Sequence, residues 1–208
     1  MAKASKKPSA KKKTKSSKSR LFVCAEAGNE PELQAGDASR LGDSKPTVDQ
    51  VSTTPHKSSR NGTDIDHIVI HYTTSRSLSG TLSWFKDPVS EVSAHYVIAQ
   101  NGKLVQVVSD SENAWHAGNK PMNRRSIGIE HSARNGDAIT TKQGEKSAAL
   151  IAWLMKEYGV PKANVIPHVC VKRTDCCGDL FMNFGGAAGA SCEKQKNALH
   201  KWMTSVGL

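Results

Sequence analysis

Apolar residues are sparse over the first sixty positions and follow a regular pattern only beyond them. The early part is mainly Lys, Ser, Thr, Pro, Gly and Asp, a composition that cannot bury enough apolar surface to offset the entropy lost on ordering. The segment IDHIVIHYT then predicts a strand with Ile68 and Ile70 on one face and His71 on the other. The pattern predicts a disordered tail and linker over residues 1–60 and a folded domain over residues 61–208.

Four more strands and three helices are predicted within the folded part. The strands cover residues 94–99, 104–108, 126–131 and 163–168, and the helices cover residues 79–85, 141–158 and 192–206. Asn101-Gly102 is suited to a tight turn that joins the first two of these strands into a hairpin. Strands that alternate with helices indicate an α/β fold, a single domain in which helices flank a mixed central sheet.

The positive charge is concentrated at the start of the chain. The 208 residues carry 29 Lys and Arg against 19 Asp and Glu, a formal net charge of +10. Residues 1–20 contain nine of the basic residues and no acidic one, so the remainder is close to neutral. We expect a near-neutral domain with a cationic arm that attracts anionic cell-envelope polymers.

Apolar runs are too short for a membrane span. The longest, AALIAWLM at residues 148–155, is well below the roughly 18 residues that a transmembrane helix needs. The run LFVCA at residues 21–25 is also shorter than the apolar core of a secretory signal. We therefore expect synthesis in the cytoplasm without a Sec signal.

Two histidines and a cysteine are candidates for a metal site. His71 ends a predicted strand, His168 follows another, and Cys176 lies eight residues further on. Two imidazoles and one thiolate form a zinc set that leaves a fourth position for water, as in catalytic sites. The spacing of these residues along the chain does not by itself distinguish a metal site from a purely structural role.

Several motifs occur in an order that resembles a known family. They are IVIHYT, SAHYVIAQNGKLVQVV, AWHAGN, SIGIEH and PHVCVKRTDCCGDLF. This set resembles the zinc-dependent N-acetylmuramoyl-L-alanine amidases and the related peptidoglycan recognition proteins. The resemblance implies one zinc ion bound by His71, His168 and Cys176, and cleavage of the amide between N-acetylmuramic acid and the L-alanine of the stem peptide.

The resemblance also implies roles for other residues. Glu130 of SIGIE would act as general base and then acid, and Thr174 would donate a hydrogen bond to the oxyanion. The resemblance also places His116 in the substrate groove. Three further residues are candidates for substrate contact on their chemistry and position: Trp115, for which a core position is equally open, His95 and Asn123. For His95 a packed position in the core is equally open.

Three positions depart from the family pattern. Thr174 stands where many members have a Lys, with Arg173 beside it, so either residue could meet the oxyanion. Ala94 stands where some members have a Tyr, and Cys177 replaces a Pro. The roles of Cys24, Cys170, Cys177 and Cys192 stay open, including a Cys177–Cys192 disulfide.

Two alternative functions and several cellular locations stay open. The protein could be a module that binds muropeptides without cutting them. The Lys-rich tail could instead bind nucleic acid, although no aromatic residues interleave with its lysines for stacking. We expect a monomer whose substrate is peptidoglycan. It would act on the cell wall, in the periplasm, after release by phage lysis or a secretion machine, with a cytoplasmic recycling enzyme as a further alternative.

Overall fold

A mixed six-stranded sheet forms the centre of residues 41–208, the part of the chain that the computed structural model describes. Its spatial order is β1-β5-β4-β7-β3-β8, while β2 pairs with β6 beside it. The strands are β1 Gln50–Val51, β2 Lys57–Ser59, β3 His67–Tyr72, β4 Tyr96–Ile98, β5 Leu104–Gln106, β6 Glu112–Ala114, β7 Ser126–His131 and β8 Val165–Pro167. Strands β4, β7, β3 and β8 run parallel, and β5 runs antiparallel to β4.

Helices cover both faces of the sheet. They are α1 Leu78–Lys86, α2 Lys120–Arg125, α3 Thr141–Tyr158 and α4 Cys192–Ser205, with short 3₁₀ turns at Lys162–Asn164, His168–Cys170 and Met182–Phe184. The predicted α/β class with a mixed central sheet and flanking helices is confirmed. Predicted strand and helix positions agree with the structure to within about two residues, whereas β1, β2, β6 and α2 were not predicted.

The sheet separates two apolar clusters. Ile68 and Ile70 pack with α3 and α4 in the larger cluster, together with residues such as Leu154 and Trp202. The smaller cluster joins α1 to β4, β5 and β6. Each fully buried aliphatic side chain contributes about 1.5–3 kcal/mol. The opposite face of β3 carries His67, the buried Val69 and His71.

Helix α3 begins and ends at the residues that its sequence predicts. The Thr140 side chain accepts a hydrogen bond from the Gln143 N–H at the first turn, and Gly159 ends the helix with φ +65°. Both are common capping arrangements. Gly102 has φ +83°, as its position in the β4–β5 hairpin requires.

Residues 41–60 are ordered, which corrects the prediction that the linker extends to residue 60. Strand β1 pairs with β5, and β2 pairs with β6. Arg60 is buried, and its guanidinium donates to the carbonyl oxygens of Asp110, Arg124 and Ser126. A polar segment can order in this way because backbone pairing at a strand edge requires no apolar core of its own. The predicted tail over residues 1–40 lies outside the described residues.

Within residues 41–208, no helix is long and apolar enough to cross a membrane.

Candidate metal centre and active site

Parallel strand ends bring the central side chains together. Strands β3 and β7 pair in register with His71 opposite Glu130. On the other side of β3, β8 pairs Pro167 with Ile70, so His168 also emerges at this edge. Ligand sites in sheets of this kind form outside the carboxyl ends of the strands, and the candidate site lies there.

His71, His168 and Cys176 form a cluster that fits a zinc ion. Their nearest donor atoms all lie within 4.8 Å of one another. The Cys176 Sγ is 3.6 Å from His71 Nδ1, and nitrogen and sulfur ligands at about 2.0 and 2.3 Å from a tetrahedral zinc would be about 3.5 Å apart. The donor set and its spacing therefore suit zinc.

Burial favours the uncharged forms of these side chains when no metal is bound. It lowers the pKa of His71 well below its usual value and raises that of the Cys176 thiol, which the nearby Glu130 and Cys177 raise further. The Tyr72 N–H donates to Cys176 Sγ at 3.4 Å. Metal binding must therefore displace a proton from the thiol, and the Tyr72 N–H stabilises the resulting thiolate.

Glu130 lies half-buried beside this cluster, with one carboxyl oxygen shielded from solvent. Its Oε2 has no hydrogen-bond partner among residues 41–208, and desolvation raises its pKa from 4.5 to about 8. An unpartnered buried carboxyl is costly for stability and is typical of a group kept free for chemistry. A pKa near neutrality also suits a general base.

The loop that carries His116 and Ala117 contacts both candidate histidine ligands. His116 Nδ1 lies 3.0 Å from His71 Nε2, and the Ala117 carbonyl oxygen lies 3.1 Å from His168 Nε2. Asn123 Oδ1 accepts from the N–H groups of both loop residues, at 3.2 and 2.7 Å. Asn123 is buried, and its side chain holds this loop. The sequence had instead suggested a contact between Asn123 and substrate.

His95 lies in the interior, so it does not contact substrate as one prediction had it. It is fully buried; its Nδ1 accepts from the Gly128 N–H at 2.9 Å, and its Nε2 lies 2.8 Å from Arg60 Nη2. The alternative of a packed core histidine agrees with this position. The partner Arg60 comes from the segment that sequence reasoning assigned to a linker.

A cleft of about 850 Å³ opens onto the cluster. Trp115 lines it and is half-buried; its Nε1 lies 3.3 Å from Ser58 Oγ on β2. Trp84, 53% exposed, and Val92 also line the cleft and were not predicted. The sequence of α1 could have indicated that Trp84 is exposed. Leu82 and Phe85 lie on the buried face of this helix, and Trp84 lies on a different face.

Thr174 lies at the rim of the same cleft. Its Oγ1 accepts from the Cys176 N–H at 3.3 Å, which leaves its own hydroxyl hydrogen free to donate. Arg173 is exposed and lines a neighbouring groove. Of the two oxyanion candidates, the structure brings Thr174 into the cleft.

Cys170, Cys177, Cys192 and His131 do not line the cleft, and Cys24 lies outside the described residues. Cys170 and Cys192 form a disulfide, so Cys192 is not available for the Cys177 pairing that the sequence left open. Cys177 is a buried free thiol. His131 faces the α3 side of the sheet, where its Nε2 lies 2.9 Å from Ser147 Oγ.

The fold and the side chains in the cleft define a candidate metallohydrolase. A family model described as N-acetylmuramoyl-L-alanine amidase matches residues 61–179, and the chain belongs to this family. Its members are typically zinc-dependent, in keeping with the His-His-Cys cluster.

Individual relatives point the same way. N-acetylmuramoyl-L-alanine amidase A of Achromobacter lyticus is 35% identical over 118 residues, which are 56% of this chain and 58% of that protein. The amidase XlyA of Bacillus subtilis is 31% identical over 116 residues, or 53% and 38% of the two chains. The chain thus covers less than two thirds of either relative. A mutant endolysin from Bacillus subtilis shares the fold, with a TM-score of 0.57, 21% identity, and coverage of 76% of this chain and 98% of that one.

Proposed function

We propose that this protein is a zinc-dependent peptidoglycan hydrolase that cleaves the amide bond between N-acetylmuramic acid and the L-alanine of the stem peptide. Membership of the amidase family supports the reaction class. One observation carries the mechanism: the Glu130 carboxyl, whose buried Oε2 has no hydrogen-bond partner among residues 41–208, lies in the same cleft as the His71, His168 and Cys176 cluster. A module that only binds muropeptides has no need for such a costly group.

Amide hydrolysis requires a water activated for attack and stabilisation of the charge that develops on the carbonyl oxygen. Zinc, when bound by the three residues, lowers the pKa of a water and polarises the carbonyl. Glu130 takes the proton from the attacking water and delivers a proton to the leaving amine of L-alanine. The charge of a nearby cation favours the ionised carboxyl that the first of these steps needs.

The other residues of the cleft bind and orient the substrate. The Thr174 hydroxyl donates to the developing oxyanion. Trp115, Trp84 and Val92 provide apolar walls for the sugar ring and the peptide methyl groups, because burying apolar area in a cleft contributes to binding.

Digestion of purified peptidoglycan tests the reaction directly. We expect free stem peptides with new N-terminal alanine by mass spectrometry, at zinc concentrations that saturate the protein. Glu130→Gln should abolish release, whereas Glu145→Gln, at an exposed position on α3, should not. Chelation should stop release and added zinc should restore it. Binding of muropeptides without cleavage by the zinc-loaded wild type would refute the proposal.

We also propose that the enzyme works as a monomer at the cell wall, on the periplasmic side, after phage lysis. The Cys170–Cys192 disulfide supports an oxidising site of action, because such bonds persist outside the reducing cytoplasm. Neighbouring genes distinguish the routes, since a holin gene indicates phage lysis and an immunity gene indicates a secreted effector. The basic residues 1–20 would hold the enzyme near anionic envelope polymers.

A further inference from the structure

A chain of hydrogen bonds leads from the candidate metal cluster into α2. His71 Nε2 lies 3.0 Å from His116 Nδ1. His116 Nε2 lies 3.2 Å from Ser126 Oγ, which donates to the Met122 carbonyl oxygen at 2.6 Å. Both ring nitrogens of His116 thus have partners inside the protein, and its ring also lines the cleft.

The direction of each hydrogen bond follows from the two ends of the chain. A carbonyl oxygen only accepts, so the one hydroxyl hydrogen of Ser126 points to Met122. Toward His116 the Ser126 oxygen must therefore accept, which places the hydrogen of the neutral imidazole on Nε2 and leaves Nδ1 as an acceptor.

The same assignment follows from the metal end. His71 Nδ1 faces Cys176 Sγ at 3.6 Å, so it must be free of hydrogen to bind a metal. The hydrogen of His71 then lies on Nε2, which requires an acceptor at His116 Nδ1. Both ends demand the same tautomers.

The ring of His116 is also held by packing. A Cβ added at Gly128 would lie 2.5 Å from His116 Cγ, so the ring rests directly on the backbone of β7. The Asn123 side chain accepts from the His116 N–H. Position and tautomer of His116 are therefore both set by neighbours that do not contact the cleft cluster.

We propose that His116 is a positioning residue that holds His71 in the tautomer able to bind metal through Nδ1, and that the Ser126 hydroxyl selects the tautomer of His116. Histidine ligands commonly donate their second nitrogen to an outer acceptor. The partner of His168 is the Ala117 carbonyl, which can only accept. An imidazole can either accept or donate a hydrogen bond through Nδ1. The Ser126 hydroxyl is therefore needed to fix the hydrogen of His116 on Nε2. The inference rests on the proposed function only in taking zinc as the metal.

Zinc affinity, measured by competition with a chromophoric chelator, tests the role of His116. We expect His116→Ala to weaken binding by about 10–100-fold, the usual effect of losing an outer partner. His116→Asn should recover most of this loss, because an amide oxygen can occupy a position close to that of Nδ1. Ser126→Ala should cause a smaller loss. Ser147→Ala removes another buried hydroxyl that partners a histidine, on the far side of the sheet, and should leave zinc affinity unchanged.

Nitrogen-15 NMR of the zinc-free wild type reads the tautomers without any variant. We expect Nε2–H forms for both His71 and His116, and a mixture at His116 in Ser126→Ala. An Nδ1–H form of His116 in the wild type would overturn the proposal. So would unchanged zinc affinity in His116→Ala together with a raised KM, the signature of a substrate contact. The zinc affinity and the NMR tautomers do not depend on amidase activity, so failure of the proposed function would be seen separately.

Discussion

Glu130→Gln should change the way in which stability depends on pH, because it removes a titrating group from a buried position. In the metal-free protein, desolvation raises the pKa of Glu130 from 4.5 to about 8. The unfolded chain loses this proton above pH 4.5, whereas the folded protein keeps it up to about pH 8. The folded state therefore loses relative stability as the pH rises through this window.

The magnitude follows from linkage between the two pKa values. Each pH unit within the window costs about 1.4 kcal/mol. Because ionisation of the unfolded chain is incomplete near its lower end, the cost between pH 5 and pH 7 is roughly 2.5 kcal/mol. Glutamine does not titrate, so the free energy of unfolding of Glu130→Gln does not include this contribution. The buried histidines titrate alike in both proteins, so their contributions cancel in the comparison.

Urea unfolding of chelator-treated proteins at pH 5 and pH 7 measures this difference. The free energy of unfolding of the wild type should fall by roughly 2.5 kcal/mol more than that of Glu130→Gln over this range. Exposed Glu145→Gln should follow the wild type. Parallel behaviour of the wild type and Glu130→Gln would refute the argument that burial leaves this carboxyl protonated. In the zinc-loaded enzyme, the same variant should lose about 10²–10⁴-fold in kcat, because the general base is gone.

Three further predictions concern the disulfide, the His116 packing and the tail. Replacing Cys170 and Cys192 together by Ser should lower the free energy of unfolding by roughly 3 kcal/mol, the value for a loop of this length; equal urea midpoints would contradict it. Gly128→Ala should cost about 1–3 kcal/mol through overpacking against His116 and weaken zinc binding; wild-type zinc affinity would refute the assigned packing. Deleting residues 1–20 should lower activity on whole cell walls at low salt but not on soluble muropeptides, because salt screens the attraction. Equal loss on both substrates would place the tail in the site.

Strong local patterns account for the elements that were predicted correctly. Alternation in β3, the Asn101-Gly102 turn and the cap and stop of α3 all act within a few residues of the chain. The prediction of a linker is wrong for residues 41–60, because the order of β1 and β2 depends on pairing with strands about fifty residues away. Composition contains no information about such a partner.

Residue types in sequence order indicated a candidate His-His-Cys set, because few side chains bind zinc, and the resemblance to the amidase family added the carboxylate of Glu130. Only the tertiary structure decided what surrounds them. The register of β3 with β7 places Glu130 beside His71, and burial there sets its pKa. The sequence predicts a substrate contact for His116 and Asn123, and either a substrate contact or a core position for His95. Their hydrogen bonds run to Ser126, the loop backbone and Arg60. A polar residue near a site can face the substrate or support the side chains that do, and this depends on partners that are distant in the chain.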